Sequence, residues 1–396
     1  MSLLVLMLAA SSSCTRSAPP AVVPVSSVAT DLDEYAAVVY LSTPRQVTDD
    51  AEGYGYFIPR TGSPALVDVG PLDVGLVSAS SGRLALHGLA TSYLLEEGRV
   101  LEWERGRPAP GIGHWSGFTP SGTPVAVLNS GGGPQGYETE VFAVLDGGLT
   151  RSVVPDVPGA VGATDDAVWV LNAGSSVAAG EVTVHRVPLG PGADPEILTT
   201  FRPTPYRTSS EFVEGSNLFE HRGRLWFLEQ QVHRSDDGTY DVGADAVEVR
   251  LSSVDLSDGT YSSRPLTTRS RLLYDGDDGT PDPVAAAASQ GHLHDGRLHQ
   301  LAADGELVSV ALDAPDWQTR EVEVPLDAPE AEAAWHGDSL DVLTLDRRGR
   351  RATLERISLE AGTRTASMPA DDLAVLLSTR PDLLLHTMAT LDAPAR

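Results

Sequence analysis

The chain has 396 residues, of which 41% are hydrophobic and 6% aromatic, so it contains enough apolar side chains for a sizeable core. Its formal net charge is −27, from 28 basic and 55 acidic residues. That balance argues against a nucleic-acid partner, whose phosphates need a basic surface, and against electrostatic docking on anionic lipid. The basic residues are all arginine, and Ala, Gly and Pro are abundant, which is typical of a GC-rich bacterial genome.

The beginning of the chain has the pattern of an export signal followed by a tether. An apolar run at residues 3–10 precedes three serines and Cys14, and a Ser/Pro-rich stretch continues to about Thr30. This order resembles a bacterial lipoprotein signal peptide. The resemblance implies acylation of Cys14 and an extracytoplasmic location, with the lipid as the one contact with the membrane. An ordinary signal peptide or an unstructured cytoplasmic start stays open, because Ser11 stands where a lipobox usually has Leu.

We therefore divide the chain into a signal peptide (residues 1–13), a flexible tether (14–33) and one domain (34–396). A single cysteine cannot form an internal disulfide. Beyond residue 10, no apolar run reaches the ~18 residues that a spanning helix needs. We expect the domain to be a monomer.

After the tether, runs rich in Val, Ile and Tyr predict strands at 35–41, 54–59 and 65–69. A turn-and-strand unit then begins and recurs along the chain. Its clearest copy is RGRLWFL at 222–228, in which a Gly-containing turn precedes an apolar run too short for a helix. Related copies stand at 81–86, 121–128, 165–171, 295–301, 337–343 and 371–377.

These units predict an all-β fold that resembles a β-propeller, most simply with seven four-stranded blades. Four of the six spacings between successive units are close to the ~40 to 50 residues of such a blade. Small residues precede the turns, as in GAVGA at 159–163, and innermost strands crowded around an axis require small side chains. Neither a WD pattern nor kelch glycine pairs are present, so the resemblance indicates no subfamily.

Closure of the ring is predicted to involve both ends of the domain. An incomplete last repeat would leave a sheet edge exposed. We expect the strand at 35–41 to complete the C-terminal blade, which gives seven blades. Eight blades would result if residues 35–70 formed a sheet of their own.

Propeller ligands usually bind at a mouth of the central channel, where residues from every blade converge. The candidates are the larger polar and aromatic residues in the runs just before the turns. They are His114, Trp115, Asn217, Gln290, His292, Trp335 and His336. The insertion at residues 233–245 is predicted to extend the same rim.

The histidine and aspartate clusters of the sequence are not predicted to bind a metal. His292, His294 and His299 could converge in one hairpin, but without a nearby carboxylate we interpret them as exposed or channel-lining. The Asp-rich segments at 236–245 and 275–282 resemble calcium loops, and Asp-Gly pairs are also common in hairpin turns. No cofactor is predicted, with calcium as the open alternative.

We interpret the arginines at 347–351 as a solvated turn, and Trp169 and Trp226 as packing residues. The chain shows no G-x-S-x-G, Walker or H-E-x-x-H motif, so no catalytic residue is predicted. The pattern favours a tethered binding scaffold whose partner is a protein or a cell-envelope polysaccharide. An envelope-glycan hydrolase or lyase with its site at the same mouth is the alternative, and a purely structural assembly protein is a third possibility.

Overall fold

The fold is known from a computed structural model. It describes residues 20–44, 51–72, 74–105, 112–133, 136–145, 147–172, 181–190, 192, 194–203, 210–214, 217–234, 240–241, 247–267, 291–302, 305–314, 319–324 and 330–392.

The described strands form seven sheets arranged as the blades of a propeller. Blade 1 contains β1 (Val22–Val23), β2 (Tyr35–Ser42), β3 (Gly53–Pro59), β4 (Ala65–Asp68) and β31 (Leu384–Thr390). Blade 2 contains β5 (Leu76–Ser80), β6 (Arg83–His87), β7 (Thr91–Glu96) and β8 (Arg99–Glu104). Blade 3 contains β9 (Ile112–Phe118), β10 (Pro124–Gly133), β11 (Gly136–Leu145) and β12 (Gly148–Pro155).

The remaining four blades follow in chain order. Blade 4 contains β13 (Ala160–Ala163), β14 (Ala167–Asn172), β15 (Val182–Pro188) and β16 (Glu196–Phe201). Blade 5 contains β17 (Ser210–Glu214), β18 (Phe219–His221), β19 (Arg224–Arg234), β20 (Tyr240–Asp241), β21 (Val247–Asp255) and β22 (Tyr261–Pro265). Blade 6 contains β23 (His292–His294), β24 (Arg297–Leu301), β25 (Glu306–Ala311) and β26 (Thr319–Glu323). Blade 7 contains β27 (Glu330–His336), β28 (Ser339–Asp346), β29 (Arg351–Ser358) and β30 (Arg364–Pro369).

Strands from both ends of the domain close the ring, as predicted. In blade 1 the last strand, β31, pairs antiparallel with β2, so that Thr390 lies opposite Ala37 and Leu384 opposite Ser42. β31 also contacts β5 of blade 2 and β27 of blade 7, which makes it the innermost strand of its blade. Residues 35–68 therefore belong to a shared blade, and the prediction of seven blades is confirmed over eight.

The Gly-Arg-Leu units owe their shape to tight hairpin turns. Two successive residues with positive φ form each of these turns: Ser81 and Gly82 (49° and 74°), Arg222 and Gly223 (54° and 76°), and Asp295 and Gly296 (47° and 68°). This pair of left-handed residues is the type I′ geometry that matches the twist of the flanking strands, and glycine adopts it without steric cost. The turn predicted from sequence is therefore the link between the first and second strands of a blade.

Apolar side chains form cores between neighbouring blades. Trp169 packs with Leu225 and Phe227 between blades 4 and 5, and Trp226 packs with Leu298 between blades 5 and 6. Both tryptophans are buried, in agreement with their interpretation as packing residues. Burial of a side chain such as Phe227 stabilises the fold by about 1.5–3 kcal/mol. The boundaries between blades are thus the cores of this domain.

The predicted strand at 371–377 is wrong, because these residues form helix α2 (Asp371–Thr379). Its apolar residues Leu373, Ala374, Leu376 and Leu377 lie on one face and are buried between blades 1 and 7. Asp371 and Asp372 occupy the first turn, where acidic side chains favour a helix. The other described helices are α1 (Val25–Ala29) and the 3-10 turn Leu32–Glu34.

Candidate binding site at one mouth of the channel

The central channel has two mouths, and the direction of the innermost strands tells them apart. The turn mouth is bordered by the turns that follow the innermost strands. These turns lie at residues 81–82, 119–123, 164–166, 222–223, 295–296 and 337–338. The second strand of each blade runs away from this mouth, so β19 starts there at Arg224 and ends at Arg234 on the opposite side. Residues 233–234 and 240–241 of the insertion pair with each other at this far end of β19, so these residues do not extend the rim of the turn mouth as predicted. The other residues of the insertion lie outside the described part of the chain.

A cavity of about 670 Å³ opens at the turn mouth. All seven blades contribute residues to its lining. The following lining residues represent blades 1 to 7 in order: Thr390, Ser80, Trp115, Ala163, Phe219, His292 and Trp335. A ligand in this cavity would contact the whole ring at once.

Four of the seven predicted ligand residues line the cavity: Trp115, Asn217, His292 and Trp335. Gln290 lies outside the described residues. His114 and His336 are not among the lining side chains that the structure describes. The innermost strands therefore bring most of the predicted set together, from blades 3, 5, 6 and 7.

Aromatic stacking organises one side of the mouth. The ring of His292 stacks on Trp335 across the boundary of blades 6 and 7, with centroids 5.5 Å apart and planes 10° apart. Its other neighbour is His294, at 6.0 Å and 13°. Nε2–H of His292 donates to the carbonyl of Gly337 at 2.8 Å. Burial lowers the pKa of His292, opposed by this hydrogen bond, so the imidazole is neutral at pH 7.

On the other side of the mouth, Trp115 lies across its own strand. A Cβ atom at Gly117 would meet the indole ring at 2.6 Å, so the bare glycine backbone provides the space for the tryptophan. Trp115 is half-buried against the core of blades 3 and 4. Aromatic surface with one edge facing a cavity suits apolar faces of sugars and side chains of peptides.

His114 and His336 have structural partners instead. His114 is the extra residue of a β-bulge in β9, beside the carbonyl of Gly159 at 3.4 Å, and burial lowers its pKa. His336 donates from Nε2 to Asp392 at 2.7 Å and accepts at Nδ1 from Arg356 at 2.9 Å. His336 thus connects blade 7 to the segment after β31.

Sequence reasoning missed other lining residues. Ser78 is 9% exposed, and its hydroxyl has no hydrogen-bond partner within the described residues. Phe118 lies 5.1 Å below the Arg83 guanidinium, which itself donates to the carbonyl of Gly122. The common signal is position, because each stands within four residues of a predicted turn. The described lining includes the carboxylates of Asp165 and Glu220 and no Lys or Arg side chain.

A family model described as "YycP, beta-propeller domain" matches residues 30–389. This match covers nearly the whole domain. The chain belongs to the YycP β-propeller family. Among curated proteins, none matches this YycP-family chain.

Solved structures similar to this YycP-family chain match it at low identity and with TM-scores below 0.5. BamB from Moraxella catarrhalis has 11% identity and a TM-score of 0.41, over 74% of this chain and 75% of BamB. Virginiamycin B lyase from Staphylococcus aureus has 12% identity and a TM-score of 0.41, over 79% of this chain and 92% of the lyase chain. The periplasmic gluconolactonase PpgL of Pseudomonas aeruginosa has 13% identity and a TM-score of 0.38, over 91% of this chain and 99% of PpgL. Similarity at this level identifies neither a ligand nor a reaction.

In the described part of the YycP-family chain, no group of three or more His, Cys, Asp or Glu side chains is arranged to hold a metal. His299 is buried and bonds through Nδ1 to the Ser309 hydroxyl at 2.8 Å, and burial lowers its pKa to about 4. Its Nδ1 is therefore occupied within blade 6, where His299 lies opposite His292 in the β23–β24 pair. The Asp-rich segment at 275–282 lies outside the described residues.

The membrane prediction concerns residues that the structure does not describe. Cys14 and the apolar run before it precede residue 20. None of the helices within the described ranges is long and apolar enough to cross a membrane.

Proposed function

We propose that this propeller is an extracytoplasmic, membrane-tethered scaffold that binds a protein or a cell-envelope glycan at the turn mouth. The observation that supports binding is the cavity of about 670 Å³ with contributions from all seven blades. Concave sites with mixed aromatic and polar linings are the usual ligand sites of globular domains. The lipoprotein-like pattern around Cys14 supports the tether and the location.

The lining chemistry restricts the ligand. The Ser78 hydroxyl lines the cavity and has no hydrogen-bond partner among the described residues, so it offers a hydrogen bond to a neutral ligand. Aromatic side chains on two sides, Trp115 and Trp335, offer stacking surfaces. The described lining has two carboxylates and no Lys or Arg side chain, so it is unsuited to phosphate or uronic-acid ligands. A ligand with a neutral or cationic surface fits this cavity best.

The test uses Trp115→Ala and Trp335→Ala, with Trp103→Ala as the matched control. Trp103 lies on the outer strand β8, where its indole N–H donates to the carbonyl of Gly147 at 3.2 Å, far from the mouth in strand order. The probes are purified cell-wall sacculi, in a co-sedimentation assay, and protein neighbours trapped by a photo-cross-linking residue at position 335. Loss of either tryptophan should weaken binding by about 10-fold or more, as for buried aromatic anchors.

Binding by both mouth variants equal to that of Trp103→Ala would refute the proposal. The alternative, a glycan hydrolase or lyase, requires the cavity carboxylates Asp165 and Glu220. Release of soluble sugar from sacculi that Asp165→Asn and Glu220→Gln abolish would replace the scaffold with an enzyme.

A further inference from the structure

A second cavity, of about 540 Å³, lies between blades 4 and 5. Its walls come from the outer strands of blade 4, through Ile197 and Leu198, and from the end of β21, through Leu256. Two residues, Thr164 and Glu220, line both this cavity and the one at the turn mouth. The two cavities are therefore neighbours at Thr164 and Glu220. We call the second cavity, with these two residues at the end that adjoins the channel mouth, the side groove.

Apolar surface is available along the side groove. Ile197 is 63% exposed, the largest exposed fraction among the large apolar side chains that are described. Leu198 and Leu256 are only partly buried beside it. Trp169 forms the floor, where its indole N–H donates to the Thr164 hydroxyl at 3.1 Å. These side chains provide a site for apolar groups next to the mouth.

The charges along the side groove are predominantly negative. Arg186 is neutralised twice, because it donates to Asp166 and to Glu196 at 2.7 Å each. Its guanidinium also lies 5.9 Å from the centre of the Trp169 ring. Asp165 and Glu220 add two more carboxylates where the groove meets the mouth. Four carboxylates against one guanidinium leave a surface that attracts cations.

We propose that the side groove binds an extended polypeptide segment in which Lys or Arg residues alternate with apolar residues. This deepens the proposed function, on which it rests, by choosing a protein segment over a neutral glycan. Successive side chains of an extended strand point to opposite sides, so one set contacts the apolar floor while the other reaches the acidic edges.

The first experiment selects ligands without assuming a sequence. A phage library of random dodecapeptides is panned against the purified chain without its signal peptide, that is, residues 14–396. We expect the recovered peptides to be enriched in Lys and Arg alternating with Leu, Ile, Val or aromatic residues. Recovery of no binders, or of a pool without basic enrichment, would overturn the proposal.

The second experiment places the best recovered peptide, made synthetically, on the side groove. Fluorescence anisotropy measures its Kd for Glu220→Gln and Ile197→Ser. The matched controls are Glu102→Gln on β8 and Val153→Ser on β12, which change an exposed carboxylate and an exposed apolar side chain elsewhere. Removal of one exposed charge should weaken binding about 1.5- to 5-fold, and loss of Ile197 about 5-fold or more. Added salt should weaken the wild type more than Glu220→Gln.

Equal affinities of the groove variants and their controls would overturn the assignment to the side groove. Trp335→Ala separates this result from the proposed function, because Trp335 lies across the mouth at the boundary of blades 6 and 7. Retained peptide binding by Trp335→Ala with lost sacculus binding would support two separate ligands. Sacculi that displace the peptide while Glu220→Gln has no effect would show a neutral glycan at the mouth and refute the peptide groove.

Discussion

Gly162 tests whether crowding of the innermost strands holds this ring together. It lies in β13 of blade 4, opposite the residue that precedes β18 in blade 5. A Cβ atom at position 162 would stand 2.0 Å from the carbonyl oxygen of Leu218 and 2.9 Å from its Cβ atom. Ordinary van der Waals contact begins at 3.4 Å. In Gly162→Ala the two strands must separate by more than an ångström.

The cost can be worked from what this separation breaks. The N–H of Leu218 donates to the carbonyl of Val161 at 3.0 Å, and this bond joins the two blades. A lost hydrogen bond between buried groups costs about 1 kcal/mol. Overpacking of a filled interior adds about 1–3 kcal/mol. We therefore expect the free energy of unfolding to fall by about 2–4 kcal/mol.

Urea denaturation followed by tryptophan fluorescence measures this change. The control is Gly190→Ala, since a Cβ atom at Gly190 would meet no heavy atom within 4 Å. It should leave the midpoint within error, because new surface contacts are negligible. A Gly162→Ala variant as stable as Gly190→Ala would refute the reasoning that close approach of the inner strands requires glycine there.

Three further outcomes are expected. Burial raises the pKa of Glu332 in β27 well above its ordinary value of 4.5, so stability is lost as pH rises through the folded value. Glu332→Gln should therefore unfold at higher urea than wild type at pH 8 and at the same urea at pH 4; a difference independent of pH would contradict this. When the chain is expressed in a bacterial host that acylates lipoproteins, Cys14→Ala should abolish incorporation of radiolabelled palmitate and release the protein from the membrane fraction, whereas Ser13→Ala should not; labelling that survives Cys14→Ala would exclude the lipoprotein proposal. Gly223→Ala should destabilise the fold by about 1 kcal/mol because position 223 has φ of 76°, and thermal unfolding against Gly190→Ala checks it.

The ring and its closure could be predicted from the sequence because local chemistry determines them. Gly82, Gly223 and Gly296 mark turns that need positive φ, and each turn is followed at once by a buried strand. The chain length between turns then matches a blade. These signals depend on neighbours in sequence, so they survive the divergence of the repeats.

Helix α2 shows where local reading of the sequence fails. The run DDLAVLL satisfies a strand pattern and a helix pattern equally well, since it is short and apolar. Packing decides for the helix, because Leu373 and Leu377 fill the space between blades 1 and 7. The prediction of seven blades was correct although its last marker was not, because β31 fills the inner position of blade 1.

The sequence predicted the position of the cavity at the turn mouth better than its lining. Trp115 and Trp335 were found because they stand in the runs before turns. The neighbour of Trp115, His114, could not be separated from it, since the β-bulge in β9 breaks the strict alternation of faces. Glu220 and Thr164 line one cavity from two different blades, and spacing along the sequence does not reveal such an arrangement.

The pairing of β31 with β2 also sets the order in which the protein can mature. The ribosome completes β31 after every other described strand, so β2 must wait with an open hydrogen-bonding edge until the last residues emerge. Such an edge can recruit foreign strands during that interval. A C-terminal truncation before residue 384 would leave the edge of β2 permanently unpaired. We therefore expect the shortened chain to aggregate rather than to form a smaller ring.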